Sequence, residues 1–204
     1  MPGRSYNGAM ANWLTFRVGL VALAMTASAQ GTAPAIPPKP GVTAGTVQAP
    51  REVLIIRTGE EPKGADVHLS AAGKARAKAL ADWIPATFGK PDALFASRAT
   101  NKSQRTTETL GPIAAVLGLK IQDGFVNEDY KKLAEKLLKG PEFAGKRILI
   151  CWTKGNIAAL ATALGARKTP AWPDEQYDHV WRLRFGAGGV TLDDMVQKLP
   201  SGGK

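Results

Sequence analysis

The chain has 204 residues, 22% of them charged and 44% hydrophobic, enough for one domain with a stable core plus a tail, and unlike a coiled coil, a collagen or a disordered chain. Lysine and arginine number 27 against 17 acids, a formal net charge of +10, which suits acidic partners such as phosphate esters, nucleic acid or anionic membranes without choosing among them. The single cysteine excludes a disulfide framework within one chain, and with only two histidines beside it no metal site and no cofactor is expected.

Residues 1–29 carry the parts of a secretory signal peptide. Arg4 and Arg17 supply a positive n-region, Val18 to Met25 a short apolar run, and Ala27-Ser28-Ala29 a small-residue cleavage site. The run falls short of the roughly 20 apolar residues of a membrane span, so none is expected. Export to a bacterial periplasm, or secretion beyond it, is the expectation, and cleavage leaves a formal charge of +10 − 2 = +8. Residues 30–50 place Pro34, Pro37, Pro38, Pro40 and Pro50 among Ala, Gly and Thr, the composition of a semi-extended linker. The folded domain is expected over 51–204.

Within it, Val53 to Arg57 is a continuous apolar run suited to a strand buried on both faces. Ser70 is placed to cap a helix reaching about Ile84. Ala93 to Ser97 reads as a second strand, and Ser103 to Leu117 as a helix stopped by Gly118. A short strand near Lys120 to Gln122 and an amphipathic, lysine-rich helix near Tyr130 to Leu138 follow. Arg147 to Trp152 is the second strongly apolar strand, leading through Gly155 into a helix ending at Leu164. Tyr177 to Leu199 has the pattern of a hairpin turning at Gly186 to Gly189. This alternation predicts a three-layer α/β/α fold, its mostly parallel sheet covered by helices on both faces, with ligands bound at the carboxyl ends of the strands. No nucleic-acid module is present, so nucleic acid is not an expected partner.

Those strand ends carry a pattern. Val53-Leu54-Ile55-Ile56-Arg57-Thr58-Gly59-Glu60, followed by His68-Leu69-Ser70 and Gly73 to Arg76, resembles the opening of the histidine phosphatase superfamily, the phosphoglycerate mutase-like proteins. There the strand ends in Arg-His-Gly-Glu and a Leu-Ser/Thr-x-x-Gly-x-x-Arg helix start follows. Leu94 to Ser97 with Ser103-Gln104-Arg105 and Glu108 is similar to the family's second arginine segment. Ile148 to Ile157 is similar to its last signature, in which a His precedes the Gly. The resemblance spans about Val53 to Trp181.

It implies a pocket in which Arg57 and Arg105 clamp a phosphoryl group, assisted by Lys154, Gly155 and Asn156, with Glu128 as a candidate proton donor. The departures fall on the chemistry. Thr58 stands where the family has its nucleophilic His, and Lys154 where it has the second. Without an imidazole to carry the phosphoryl group, a clamp can still hold phosphate, a phosphate monoester or another small anion through charge-assisted hydrogen bonds. The expected function is therefore an exported, catalytically degenerate histidine phosphatase-like protein, a pseudo-phosphatase with an anion pocket. Two alternatives stand beside it: a phosphomonoesterase using Thr58 as nucleophile with neutral Lys154 as base, and a purely structural or interaction protein of the cell envelope. Plainer roles are open for single residues. Arg57 and Arg105 could pair with Glu60 or Glu108, His68 could orient the loop before its helix, His179 could be a packing residue, and Cys151 an inert buried thiol.

Overall fold

The structure, a computed structural model, describes residues 49–199. The signal segment 1–29 and the linker up to residue 48 lie outside the described residues. Four strands, β1 (Glu52–Arg57), β2 (Ala93–Ser97), β3 (Ile121–Phe125) and β4 (Arg147–Trp152), alternate with helices α1 (Ala71–Phe88), α2 (Arg105–Leu117), α3 (Tyr130–Lys139) and α4 (Lys154–Ala163). A hairpin of β5 (His179–Gly186) and β6 (Gly189–Val196) completes a six-stranded sheet of order β3-β2-β4-β1-β5-β6. β4 pairs in parallel with both β1 and β2, and β2 with β3, whereas β5 runs antiparallel to β1 and β6. The sheet is mixed, with a parallel centre.

The strand period of two divides the core. Leu54, Ile56, Leu94, Ala96 and Leu149 face one side, where they pack with Leu80 and Ile84 of α1 and Leu110 and Ile113 of α2. Val53, Ile55, Phe95, Ile148 and Ile150 face the other, with Leu133 and Leu137 of α3 and Ile157 and Leu160 of α4. Each Val, Leu, Ile or Phe side chain so withdrawn from water contributes about 1.5–3 kcal/mol. Three layers result, as the sequence pattern predicts. No helix among the described residues is long and apolar enough to cross a membrane.

Some boundaries differ from expectation for identifiable reasons. α1 continues past Ile84 through Pro85 to Phe88, because the added turn buries Phe88 and closes with the Gly89 N–H donating to the Pro85 carbonyl at 3.0 Å. α2 begins at Arg105 rather than Ser103, since Thr100 and Ser103 bridge each other in a turn before it. It ends at Gly118, whose left-handed φ of 64° favours a residue without a Cβ. β3 lies a little later than expected, a half-exposed edge strand paired only with β2.

The parallel centre puts the carboxyl ends of β1, β2 and β4 together at one edge of the sheet. β5 runs the other way, so His179 at its start lies at that same edge, and Ile55 pairs with Trp181. The stretch joining α4 to β5 must therefore arrive there too.

Candidate active site

β1 ends at Arg57 and the loop after it begins with Thr58, both buried. It is held by backbone: the Gly59 N–H donates to Thr109 Oγ1 at 2.9 Å, and the Ser70 N–H to the Glu60 carbonyl at 3.0 Å. Ser70 also caps α1 as expected, accepting from the Gly73 N–H at 3.1 Å. Gly73 makes this closeness possible, since a Cβ there would stand 2.6 Å from the Glu60 carbonyl oxygen. The Glu60 carboxylate is taken by Arg76, whose Nη2 approaches to 2.6 Å and Nε to 2.9 Å. Glu60 thus locks the loop rather than pairing with Arg57 or Arg105.

The second element is the start of α2. Glu108 in its first turn accepts from His68 Nδ1 and from the Leu69 N–H at 2.8 Å. Burial works to raise the Glu108 carboxyl, but the hydrogen bonds from His68 and Leu69, with the charges of His68 and Lys74, outweigh it and hold the group below the usual carboxylate range. His68 therefore has a positioning contact, clipping the loop ahead of α1 onto α2. Arg105 donates from Nη1 to the Asp66 carbonyl at 3.1 Å, and its Nη2 lies 3.4 Å from Glu61 Oε2.

At the end of β4, Lys154 opens α4, and its ammonium pairs with the Asp174 carboxylate. That contact first, then the charges of Lys154 and Arg57, keep the Asp174 carboxyl below its ordinary value. Asp174 belongs to the stretch between α4 and β5, which also covers Arg57. The Asp174 carbonyl accepts from Arg57 Nη1 at 2.7 Å, the Gln176 carbonyl lies 3.4 Å from the same nitrogen, and the Tyr177 ring stacks 3.8 Å from the guanidinium carbon. Trp172 anchors this stretch in the core, packing on Trp181 and donating from Nε1 to the Gln176 carbonyl at 2.9 Å.

Together these elements form a cleft of about 440 Å³ lined by Arg57, Thr58, Arg105 and Lys154 and by the acids Glu61, Asp174 and Glu175. Two of its cationic residues keep a polar atom in reserve: Arg57 Nε and Arg105 Nε are buried with no hydrogen-bond partner. Arg57 is only 5% exposed. Such guanidinium groups can take an oxyanion in paired, charge-assisted hydrogen bonds. A larger hollow of about 540 Å³ runs along β3 beside Asp92 and Lys120 and holds none of these strand-end residues.

The residues singled out from the sequence divide accordingly. Arg57, Thr58, Arg105, Lys154 and Gly155 come together in the cleft. Asn156 instead donates from Nδ2 to the Asn127 carbonyl at 3.1 Å, tying α4 to a short 3-10 turn at Asn127–Asp129 that the Trp152 indole also holds. Glu128 sits on that turn, exposed, and is not among the cleft residues. His179 Nδ1 contacts Asp194 at 2.6 Å and its ring packs edge-on against Trp172. Cys151 is wholly buried, and desolvation pushes its thiol up to about 12, consistent with an inert packing role. Among the described residues no cluster of three or more His, Cys, Asp or Glu is arranged to hold a metal ion. Sequence reasoning did not single out Asp174, Glu175, Tyr177 or Glu61, which lie in loops without periodicity.

No protein-family model and no curated protein matches the sequence. Solved structures do match the fold. The protein histidine phosphatase SixA complexed with tungstate superposes with a TM-score of 0.55 at 16% identity, over 71% of this chain and 96% of that one. Phosphoserine phosphatase from Entamoeba histolytica, in complex with 3-phosphoglyceric acid, gives 0.51 at 15% identity, over 72% and 98%. Phosphoglycerate mutase from Plasmodium falciparum gives 0.51 at 13%, over 75% and 96%. At these identities the likeness defines the architecture: the chain has the α/β fold of the phosphoglycerate mutase-like histidine phosphatases.

Proposed function

We propose that this protein is an exported member of the histidine phosphatase superfamily that binds a phosphate group or phosphomonoester and does not turn it over by the histidine route. The observation that carries the reading is the convergence of Arg57 from the end of β1, Arg105 from the start of α2 and Lys154 from the start of α4 on one cleft. In this reading Arg57 and Arg105 grip the equatorial oxygens, Lys154 and the backbone around Gly155 take the remaining charge, and Asn156 fixes the start of α4. The missing nucleophile supports the second half. Thr58 and Lys154 occupy the places read as those of the family imidazoles, and the two histidines of the chain are engaged elsewhere, His68 with Glu108 and His179 with Asp194. A Thr58 nucleophile would need a base, and Lys154, the base considered for it, is committed to Asp174 as an ion pair. Glu128, exposed on its turn, would have to move to serve as proton donor. Residues 1–29 would direct export to the periplasm or beyond, and 30–50 would tether the domain.

The test is a paired assay on the purified protein: calorimetric titration with orthophosphate, and hydrolysis of an aryl phosphate. Binding is expected in the wild type, with a loss of at least about tenfold in Arg57→Ala, the scale of one charge-assisted contact, and no hydrolysis above the buffer rate. Binding indifferent to both Arg57→Ala and Arg105→Ala would refute the pocket. Hydrolysis abolished by Thr58→Ala would refute the non-catalytic half and install a threonine nucleophile.

A further inference from the structure

The cleft is not simply basic. Its lining sets Arg57, Arg105 and Lys154 against Glu61, Asp174 and Glu175, so the formal charges cancel, +3 − 3 = 0. In a chain of formal charge +10, this lining is balanced. Two of the acids sit on the clamp itself. Asp174 engages Lys154, and Glu61 lies 3.4 Å from Arg105. Their side chains are well exposed, 81% and 46%, so either carboxylate can swing off its cation without disturbing the core. The second, independent sign of a ligand is the pair of buried, unpartnered nitrogens, Arg57 Nε and Arg105 Nε.

A phosphate that takes Lys154 Nζ and Arg105 Nη2 as well as the free Nε atoms displaces Asp174 from Lys154 and Glu61 from Arg105. If the ligand is only an anion, the displaced carboxylates lose their cations and face the incoming negative charge, and like charges at that range oppose binding. A ligand that brings its own cation offers each displaced carboxylate a replacement, and the number of ion pairs is conserved. Because the acids now touch the clamp cations directly, that cation must lie close to the phosphate, across a spacer of two or three atoms. Glu175 on the same rim adds a third acceptor.

We infer that the ligand of this cleft is a phosphomonoester carrying an ammonium group beside the phosphate, a phosphorylated amino alcohol, with Glu61 and Asp174 as the residues that select for the cation. This rests on the anion-binding reading above and specifies its ligand class. Glu61 and Asp174 therefore act twice, holding the clamp shut in the free protein and receiving the ligand's ammonium in the bound one.

The test compares two probes that differ only in the ammonium, O-phosphoethanolamine and ethyl phosphate, titrated into the wild-type chain, Arg57→Ala, and a Glu61→Gln/Asp174→Asn double variant, each checked for folding by circular dichroism. The wild type is expected to favour O-phosphoethanolamine by at least about fivefold, the scale of one or two partly exposed ion pairs, and to lose that preference as salt rises. In the double variant the preference should vanish, while ethyl phosphate binds more tightly than to wild type because the clamp is no longer occupied. Equal affinities in the wild type, with ethyl phosphate still depending on Arg57, would overturn this inference and leave the anion pocket standing. A preference unchanged by the double substitution would also overturn it. Binding of neither probe to a folded sample would overturn both readings.

Discussion

Gly73→Ala sets two physical effects against each other in the first turn of α1. Alanine is the better helix former by about 1 kcal/mol, so an exposed helical glycine should gain stability on the exchange. At this position the new Cβ would stand 2.6 Å from the Glu60 carbonyl oxygen, 2.9 Å from the Glu60 nitrogen and 3.1 Å from Leu69 Cδ2, where ordinary contact begins at 3.4 Å. The backbone of Glu60 would have to retreat by about 0.8 Å (3.4 − 2.6). That backbone is the acceptor for the Ser70 N–H and follows directly on Thr58 and Gly59, so it cannot move without straining the loop that presents Arg57. Overpacking of this kind costs about 1–3 kcal/mol. Because the closest atoms are backbone rather than the end of a flexible side chain, the cost lies in the upper part of that range, about 2–3 kcal/mol. Less the propensity gain, the net loss is about 1–2 kcal/mol, and with a urea m-value of about 2 kcal/mol/M the midpoint should fall by about 0.5–1 M. The control is Gly111→Ala in α2, where a Cβ meets nothing within 4 Å. There the same exchange should be neutral or stabilising by up to about 0.5 kcal/mol, the following Pro112 limiting the gain. Urea denaturation of the three proteins decides the matter. A Gly73→Ala protein as stable as wild type would refute the close-approach argument.

Two further outcomes follow from the packing. Glu52 is 2% exposed and its carboxylate is shared by Arg147 Nε at 2.6 Å and Arg182 Nε at 2.5 Å; Glu52→Gln leaves a neutral amide between two guanidinium groups and should cost about 2–3 kcal/mol, somewhat below a fully buried pair because Arg182 is partly exposed. A thermal or urea measurement within 0.5 kcal/mol of wild type, about the noise of a surface substitution, would contradict it. Glu108 has its carboxyl depressed in the folded state, so its contribution is fully present above the unfolded value of 4.5 and is lost as pH falls through the lower folded value. The stability difference between wild type and Glu108→Gln should therefore shrink between pH 5 and pH 3, and a difference that stays constant or grows over that interval would contradict the assignment.

What could be read from the sequence, and what could not, follows the physics of each segment. β1 and β4 were legible because strands buried on both faces must be continuous apolar runs, and Val53 to Ile56 and Ile148 to Trp152 are buried throughout. Ser70 and Gly118 were legible as caps because the capping geometry restricts the residue type. Arg57 and Arg105 were legible through the motif around them. The acids of the cleft were not. Asp174, Glu175 and Tyr177 reach it through an irregular stretch positioned by Trp172, and irregular chain leaves no period to read. Glu108 illustrates a partner wrongly open in one dimension: as a possible counter-ion for Arg57 or Arg105 it looked reasonable, but its place in the first turn of α2 turns it toward His68 and the Leu69 N–H. Asn156 was similarly drawn away by a carbonyl, that of Asn127, which only the fold brings near.

The reversed direction of β5 has a consequence beyond pairing. β4 is six residues long, about 20 Å at 3.3 Å per residue, and α4, ten residues or about 15 Å at 1.5 Å per residue, descends most of that height from the cleft toward the far edge. Had β5 run parallel, a short turn at the far edge would have joined them. Because it runs antiparallel, the chain from 164 to 178 must climb back and finish over the cleft. At the bottom it is fastened by the bridge between Ala166 and Val190, in the middle by Trp172, and at the top by the Gln197 N–H on the Asp178 carbonyl. Between those fastenings it adds no strand to the sheet, although Tyr177 stacks on Arg57 and Asp174 pairs with Lys154. Such a lip can be rewritten over generations without disturbing a single rung of the ladder, so the scaffold can inherit its core intact while changing the molecule it greets.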